Sequence, residues 1–260
     1  TEKRTRAFRT AVATVSPAPV RTLVNTHSHP DHTLGNSQFG TATIVAHERT
    51  RAEVIAGFPP SAIAAIWEPM DVGDTYAEPP FLTYTEGVTV WVDELRCEVR
   101  HVGTPAHTTN DSIVWVPERS VLYAGDLVFN GGTPFLLGGS IAGAVEVLTT
   151  VLKPLNPDTV VPGHGPVCGP EVFDATLDYL RFVQQVAADA HAAGVPPLAA
   201  AMDTDLGRFA GWTDPERIVG NLYRACAELD GQPRGAPIDL LAALRDMVRY
   251  NGGAPLTCRA

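Results

Sequence analysis

The sequence predicts an α/β fold, and three observations indicate it. Residues 20–25 are rich in apolar and β-branched side chains (Val20, Thr22, Leu23 and Val24), which is typical of a buried strand. Residues 83–101 alternate between apolar and polar side chains, which predicts half-exposed antiparallel strands. The last third of the chain carries apolar stripes with helical spacing. With 260 residues, the chain is long enough for one large α/β domain or two small ones.

The predicted elements follow in chain order from periodicity and from turn residues. Strands are expected at residues 20–25, 41–46, 83–101, 113–116, 121–124 and 159–161. Helices are expected at residues 1–14, 47–56, 142–152, 170–193, 215–229 and 237–250. Turns and loops are expected at residues 58–60, 68–80 and 129–143. Pro170 is expected in the first turn of its helix, where a proline costs no hydrogen bond.

The most informative segment is the run His27-Ser28-His29-Pro30-Asp31-His32, which directly follows the first predicted strand. Three histidines and a carboxylate at a strand end contribute little to packing, but imidazole nitrogen and carboxylate oxygen are usual zinc ligands. Because side chains alternate along an extended segment, His27 and His29 can point the same way. Asp31 and His32, after Pro30, would then face a second position nearby. The run therefore predicts a metal site.

Ligand-type residues recur at the ends of three later strands, namely His107, Asp126 and His164. Loops at strand ends are where α/β scaffolds gather their functional groups, so we expect these residues to join the first cluster. The remaining histidines are expected to have ordinary surface or capping roles. They are His47, His101 and His191.

Composition excludes several classes of protein. Hydrophobic residues make up 45% of the chain and charged residues 18%, which indicates a globular protein. The net charge of −10 disfavours nucleic acid as a partner. The sequence contains no stretch of about 18 apolar residues, so no membrane span is predicted. No signal peptide is visible. The cysteines show no CxxC spacing, which favours reduced thiols and a cytoplasmic location; they are Cys97, Cys168, Cys226 and Cys258. Without a neighbouring base, Cys168 is expected to pack rather than react.

Four motifs together resemble the metallo-β-lactamase fold superfamily: THSHPDH at 26–32, PAHT at 105–108, YAGDLVF at 123–129 and PGHG at 162–165. The resemblance implies an αββα sandwich, in which two mixed sheets face each other, helices lie outside and metals lie at one edge. It implies a core with the metal site over residues 1–168. Residues 169–260 would be a helical part of the same domain that covers the substrate pocket. Since members normally begin with strands of the first sheet, it also implies that those N-terminal strands are missing from the chain as given.

The resemblance also implies roles for individual residues. The first metal would be bound by His27, His29 and His107. The second would be bound by Asp31, His32 and His164, with Asp126 bridging the two. The expected cofactor is a pair of zinc ions, with iron or manganese as alternatives. Asp126 and His164 match the branch that contains glyoxalase II-like and thioesterase-like proteins.

This ligand set predicts hydrolysis of an ester or thioester. Zinc lowers the pKa of bound water to about 7, and two ions about 3.5–4 Å apart polarise a carbonyl. The same pair could promote an aldol ring closure by acidifying a C–H bond next to a ketone. Asp31 is expected to act both as a ligand and as the general base.

A narrower resemblance covers residues 23–39 and 214–225, which are similar to bacterial aromatic polyketide cyclases of the second-ring, actinorhodin type. Some of these also release the chain from its carrier protein as thioesterases. The implied substrate is an aromatic polyketide or acyl thioester, presented by an acyl carrier protein. The residues expected to line its pocket are Phe129, Phe135, Leu136 and Tyr179. The helices over 170–193 and 214–250 would wall a mainly apolar pocket above the metals. Alternatively, the segment 129–137 is a Gly-rich connection packed on the core.

Three other functions stay open from the sequence. The first is a general glyoxalase II-like thioester or ester hydrolase. The second is a mononuclear iron dioxygenase that acts on a persulfide. Metal content would distinguish it from a dinuclear zinc enzyme. The third is a non-enzymatic protein that keeps its metal for a structural or sensory role.

Overall fold

The computed structural model describes residues 1–57 and 66–257, and its strands form two sheets. The first sheet contains three parallel strands: β1 (Thr22–Val24), β2 (Thr43–His47) and β3 (Leu82–Tyr84). The second contains five strands in sequential order: β4 (Gly87–Val92), β5 (Leu95–His101), β6 (Ser112–Val116), β7 (Val121–Phe129) and β8 (Thr159–His164). Strands β4 to β7 are antiparallel neighbours, and β8 pairs with β7 in parallel. The turn expected at 58–60 and Cys258 lie outside the described residues.

The helices lie on the outside of this sandwich. Those described are α1 (Glu2–Val15), α2 (Pro30–Thr33), α3 (Glu48–Ala56), α4 (Ile141–Val147), α5 (Glu171–Ala192), α6 (Pro197–Asp203), α7 (Arg217–Leu229) and α8 (Leu240–Tyr250). A π-helical turn, Leu148–Leu152, extends α4. Of these helices, none combines the length and apolar character needed to cross a membrane.

Two apolar clusters hold the layers together. A small one joins the sheets, where Val45 and Tyr84 of the first sheet meet Val99 of the second. A large one lies between the second sheet and the C-terminal helices, with members such as Leu122 of β7 and Leu180 of α5. The αββα arrangement expected from the sequence is therefore confirmed.

Helix ends follow local side-chain chemistry. The hydroxyl of Thr1 accepts from the Arg4 amide to begin α1, and Ser140 and Asp239 begin α4 and α8 in the same way. His47 begins α3, since its Nδ1 accepts from the Arg49 amide at 3.2 Å, which confirms its expected capping role. Such side chains satisfy amides that the helix itself leaves without partners.

Four expectations about the elements need correction. The segment 83–101 does not form one antiparallel set, because β3 joins the first sheet in parallel with β2. Pro170 immediately precedes α5 instead of lying in its first turn. The short helix α6, an alanine-rich segment, was not predicted. Helix α1 has the expected extent, but none of its residues is buried, and Phe8 is 57% exposed beside Phe39. The N-terminal strands of the first sheet stay a prediction.

A close backbone contact joins the segment after β7 to the loop after β5. The Ser140 amide donates to the Ala106 carbonyl at 2.8 Å. A Cβ added at Gly139 would lie only 1.8 Å from that carbonyl oxygen and 2.6 Å from the oxygen of His107. At the neighbouring Gly138, the nearest atom that an added Cβ would meet outside the flanking residues of the described chain is the His107 oxygen, at 3.9 Å. Gly139 therefore has to be glycine for the two segments to meet.

We expect Gly139→Ala to lower the free energy of unfolding by about 1–3 kcal/mol, because the added methyl group has to push backbone away. Gly138→Ala is the matched control, and we expect it to change stability by less than about 0.5 kcal/mol. Thermal unfolding measures both. Equal melting temperatures for the two variants would show that the contact does not constrain the fold.

Candidate metal centre

Five segments deliver the predicted ligands to one edge of the sandwich. His27 and His29 lie in the turn after β1, and α2, with Pro30 as its first residue, carries Asp31 and His32. The other ligands come from the loop after β5, from β7 and from the end of β8; they are His107, Asp126 and His164. All seven residues predicted from the sequence meet in two overlapping groups. The structure thus brings these seven side chains together at one edge of the sandwich.

We expected Asp126 at the end of a strand, but it lies within β7. The register between β7 and β8 is irregular on both sides of Gly125, whose φ of 54° lies in the left-handed region. A Cβ there would also meet the Thr26 side chain at 2.8 Å. Such irregularities bend a strand and redirect its side chains next to functional sites. The bend at Gly125 turns the Asp126 carboxylate toward the histidines.

The first group consists of three histidines around one carboxylate oxygen. Oδ2 of Asp126 lies 3.7 Å from Nε2 of His27 and 3.3 Å from Nε2 of His107. Nδ1 of His29 lies 2.9 Å from Nε2 of His107. The ligand atoms of this group all lie within 4.8 Å of one another. Three nitrogens and one oxygen around a common point form a donor set that suits zinc.

The second group shares Asp126 with the first. Oδ1 of Asp126 lies 3.0 Å from Nε2 of His32, and Oδ2 lies 3.3 Å from Nε2 of His164. Oδ2 of Asp31 lies 3.2 Å from both of these imidazole nitrogens. The side chain of Asp31 is 44% exposed, so solvent reaches this group more easily than the first.

One buried atom tests whether the first group fits a cation. Nε2 of His27 is buried, and no group in the described ranges 1–57 and 66–257 forms a hydrogen bond with it. Its other ring nitrogen, Nδ1, lies 3.1 Å from the hydroxyl of Thr26. Buried polar atoms are nearly always paired, and a hydrogen bond at the second nitrogen is how metal-binding histidines are oriented. The donor set and this orphaned nitrogen both fit a metal ion.

The two groups differ in protonation. Burial lowers the pKa of His27 and His29, and it lowers the pKa of His107 to about 3, so these imidazoles are neutral near pH 7. Burial also opposes the charge on His32 and His164, but the carboxylates of Asp126 and Asp31 outweigh it. They hold the pKa of His32 well above its usual range and raise the pKa of His164 to about 10.

Hydrogen bonds hold the loop that carries His107. The Thr108 amide and hydroxyl donate to the carboxylate of Asp111 at 2.8 and 2.6 Å, and burial raises the pKa of Asp111 to about 6. Thr50 of α3 donates to the side chain of Asn110 at 3.0 Å. These supporting residues were not predicted, because short polar side chains in a loop carry no periodic signal.

A buried amide pair supports the loop that carries His32. Nδ2 of Asn25 donates to the His32 carbonyl at 3.1 Å and to the Asn36 side chain at 2.9 Å. Nδ2 of Asn36 also donates to the carbonyl of Glu78, at 3.0 Å. These contacts fix the segment between β1 and the 3₁₀ turn Leu34–Phe39.

The four residues expected to line a substrate pocket occupy different depths. Phe135 is partly exposed, and its ring centroid lies 6.3 Å from that of His29. Phe129 stacks on His164 and is 2% exposed, and Leu136 is 3% exposed, so both side chains present almost no surface to a substrate. The expectation for Tyr179 is wrong. Its side chain is 1% exposed and packs in an aromatic cluster of the core, and its hydroxyl accepts a hydrogen bond from Nδ2 of Asn221.

The other histidines and the described cysteines have the ordinary roles we expected. Nδ1 of His101 accepts from the Gly103 amide at 3.1 Å. His191 forms an exposed pair with Asp230 at 2.9 Å. Cys168 packs against the large apolar cluster. The described cysteines are free thiols: Cys97, Cys168 and Cys226.

Comparison with protein families gives one match, which covers residues 4–164 and is described as the metallo-β-lactamase superfamily. A hydroxyacylglutathione hydrolase from Rhodospirillum rubrum is 30% identical over 158 residues, which are 60% of this chain and 50% of that protein. The alpha subunit of a 2,4-dinitroanisole O-demethylase from Nocardioides sp. (strain JS1661) is 30% identical over 194 residues, which are 73% of this chain and 54% of that protein. The chain thus spans about half the length of the curated relatives it matches.

Among solved structures, a metallo-β-lactamase from Pontibacter korlensis superposes with a TM-score of 0.54. The match is 21% identical in sequence and covers 68% of this chain and 76% of that one. At this identity the likeness concerns the fold alone.

We expect metal binding at the second group to strengthen as the pH rises from 7 to 9. Because His164 has a pKa of about 10 and the pKa of His32 is also raised, an ion at this group has to displace protons. Each displaced proton strengthens binding by about tenfold per pH unit. The neutral histidines of the first group have no proton to lose, so binding there should stay constant over this range.

Zinc affinity, measured by competition with a chromophoric chelator at several pH values, checks this expectation. His164→Gln is the matched variant, because it removes one titrating group and should reduce the pH slope by about one proton. Equal pH slopes for the two ions in the wild-type protein would contradict it.

Proposed function

This chain belongs to the metallo-β-lactamase superfamily, and from that premise we propose that it is a metal-dependent hydrolase of acyl thioesters or esters. Its substrate would be an aromatic polyketide chain presented by an acyl carrier protein. The observation that carries the proposal is the shared Asp126 carboxylate. Its two oxygens lie 3.0–3.7 Å from four histidine nitrogens that belong to the two ligand groups. One carboxylate between two such groups suits a pair of divalent ions.

The proposed ligands of the first ion are His27, His29 and His107, and those of the second are Asp31, His32 and His164, with Asp126 between them. Zinc is the cofactor that this donor set favours. When bound, such ions lower the pKa of water to about 7 and polarise an acyl carbonyl. The chain's own residues orient the ligands, as Thr26 does for His27.

Asp31 is the residue we propose as proton acceptor. Burial opposes its charge, but hydrogen bonds from His164 and His32 outweigh it and hold the pKa of this carboxyl well below its usual range. The group is therefore ionised at neutral pH, and its side chain is 44% exposed. A low pKa makes it a weak base in free solution, so its contribution rests on its position next to the reacting water.

Two features support an acyl thioester as substrate. The relative from Rhodospirillum rubrum is by name a hydrolase of an acylated glutathione. In addition, the partly exposed ring of Phe135 lies beside His29 and near Trp67, at 6.3 and 6.4 Å between ring centroids. Aromatic rings next to the ligands favour a flat acyl group through stacking. The helical part over residues 169–260 would cover the substrate pocket that we propose beside Phe135.

The ring of Phe135 also favours a second candidate, aldol ring closure of a polyketide at the same ligands. In that reaction Asp31 would accept the proton of the acidic carbon instead of a water proton. A mononuclear iron dioxygenase would bind one ion instead of two. Elemental analysis of the purified protein separates the dioxygenase from the other two classes: about two zinc ions per chain support the hydrolase or the cyclase, and a single iron contradicts both.

We expect Asp31→Asn to reduce thioester hydrolysis by roughly two to four orders of magnitude, the range for losing a positioned acid–base group. Folding should be nearly unchanged, because the side chain is 44% exposed. The assay combines thioester hydrolysis, cyclised product formation and metal content. An Asn variant with full metal and full activity in both reactions would show that Asp31 is not the base.

Two variants serve as controls for this assay. Asp93→Asn changes an exposed carboxylate of the β4–β5 turn, where asparagine tolerates the positive φ of 50°, and should have no effect. His107→Ala should lower metal content as well as activity, because it removes a proposed ligand. Loss of hydrolysis in Asp31→Asn with cyclisation intact would identify a cyclase that only tolerates thioesters.

We expect Phe135→Leu to raise the KM for an aromatic thioester by about three- to tenfold, the value of one aromatic contact. The KM for an acetyl thioester should not change, because an acetyl group is too small to stack. Phe81→Leu, at a position 84% exposed on the surface, is the matched control. Equal effects on both substrates would contradict an aromatic acyl group at this ring.

A further inference from the structure

Helix α7 carries a row of polar side chains, three buried and the last half-buried, which we call the α7 polar stripe: Arg217, Asn221, Arg224 and Glu228. The spacings of four, three and four residues place them on one face of the helix. Arg217 is 3% exposed and Arg224 is 1% exposed. Long charged side chains are almost never buried this deeply unless they have partners, so the stripe requires an explanation.

The stripe binds the backbone of residues 133–142, the segment that follows β7, in the order of the chain. Arg217 donates to the Thr133 carbonyl at 2.8 Å. Asn221 donates to the Pro134 carbonyl at 2.8 Å and accepts from the Leu136 amide at 3.1 Å. Further on, Arg224 donates to the Leu137 carbonyl, and Glu228 accepts from the amides of Ile141 and Ala142 at 2.8 and 3.1 Å. Side chains of one helix thus fix the path of this loop.

Arg217 differs from the rest of the stripe because it also contacts aromatic rings. Its guanidinium carbon lies 5.4 Å from the ring centroid of Phe129 and 5.7 Å from that of Phe135. These are distances at which a cation is attracted to an aromatic face. The carboxylate of Asp214 also pairs with the guanidinium, at 2.7 Å. The geometry of the group is therefore set by three kinds of contact.

Each of the two rings touches a histidine of the metal centre. Phe129 stacks on His164, with ring centroids 5.1 Å apart and planes 5° apart, and the two residues are also paired in the β7–β8 register. Phe135 lies edge-on to His29 at 6.3 Å. Arg217 is thus connected through one ring to the second ligand group and through the other to the first.

We propose that Arg217 is a positioning residue for the metal centre, which holds Phe129 against His164 and Phe135 beside His29. This inference rests on the metal binding proposed above. Residues that orient metal ligands contribute to metal affinity without touching the ion. Arg217 suits this role because its planar group stacks on rings while its fork of donors binds carbonyl and carboxylate oxygens. A lysine would keep the charge but lose the plane and the fork.

The test compares Arg217→Lys with Arg224→Lys in the complete chain. Both variants change a buried arginine of α7 that donates to the 133–142 segment, but only Arg217 contacts the rings. We expect Arg217→Lys to weaken binding of zinc by about tenfold or more, as loss of a ligand-orienting residue does. Arg224→Lys should leave zinc affinity within about twofold, even if both variants lower the melting temperature equally. Equal zinc affinities in the two variants would overturn the proposal.

A second pair of variants decides the question if Arg217→Lys does not fold. Phe129→Leu removes the stack on His164 without changing charge, and Phe173→Leu removes a ring of similar burial from the core of α5. We expect weaker zinc binding in Phe129→Leu alone. Weakening in neither variant, or to the same extent in both, would overturn the proposal. Since zinc binding is measured without substrate, a protein that binds zinc but cleaves no thioester would contradict the proposed function and leave this inference standing.

Discussion

A carboxylate buried among four histidines is the constraint on which the rest of this structure depends. Asp126 is 5% exposed, and its oxygens lie within 3.7 Å of imidazole nitrogens from four different segments. A buried charge without partners costs several kcal/mol, so this carboxylate is tolerated only when those segments are all in place. The bend of β7 at Gly125, the turn after β1 and the end of β8 have to form together. The centre is therefore a product of the assembled sandwich rather than of any one element.

Helices outside the sheets stabilise the ligand loops by binding their backbones. Helix α3 reaches the loop of His107 through Thr50 and through Arg49, which donates to the Thr109 carbonyl at 3.1 Å. Helix α7 binds the segment after Asp126 through its polar stripe. Rigid neighbouring elements keep functional side chains in place more accurately than loops alone. In this protein the loops supply the chemistry and the helices determine its geometry.

The sequence was sufficient to predict which side chains converge, but not what surrounds them. The run 27–32 and the three later residues could be found because ligand-type side chains at strand ends are chemically distinctive. The continuation of β7 past Asp126 could not be predicted, since a glycine followed by a carboxylate in the sequence is also typical of a strand end. The depth of Tyr179 was missed because an apolar stripe shows which face of a helix is buried, not what it faces. The polar stripe of α7 was missed for the opposite reason: charged residues at helical spacing normally indicate an exposed face.

The unequal protonation and exposure of the two ligand groups indicate that they have different tasks. The imidazoles of the first group are neutral, and His27 and His107 are fully buried, so they can bind an ion without exchanging protons with solvent. The second group contains Asp31, the most exposed ligand, and His164, whose pKa of about 10 reflects two neighbouring carboxylates. An ion binds without pH dependence only where no proton has to leave its ligands. The first group would therefore take up its ion without losing protons, whereas the second would release protons as its ion binds.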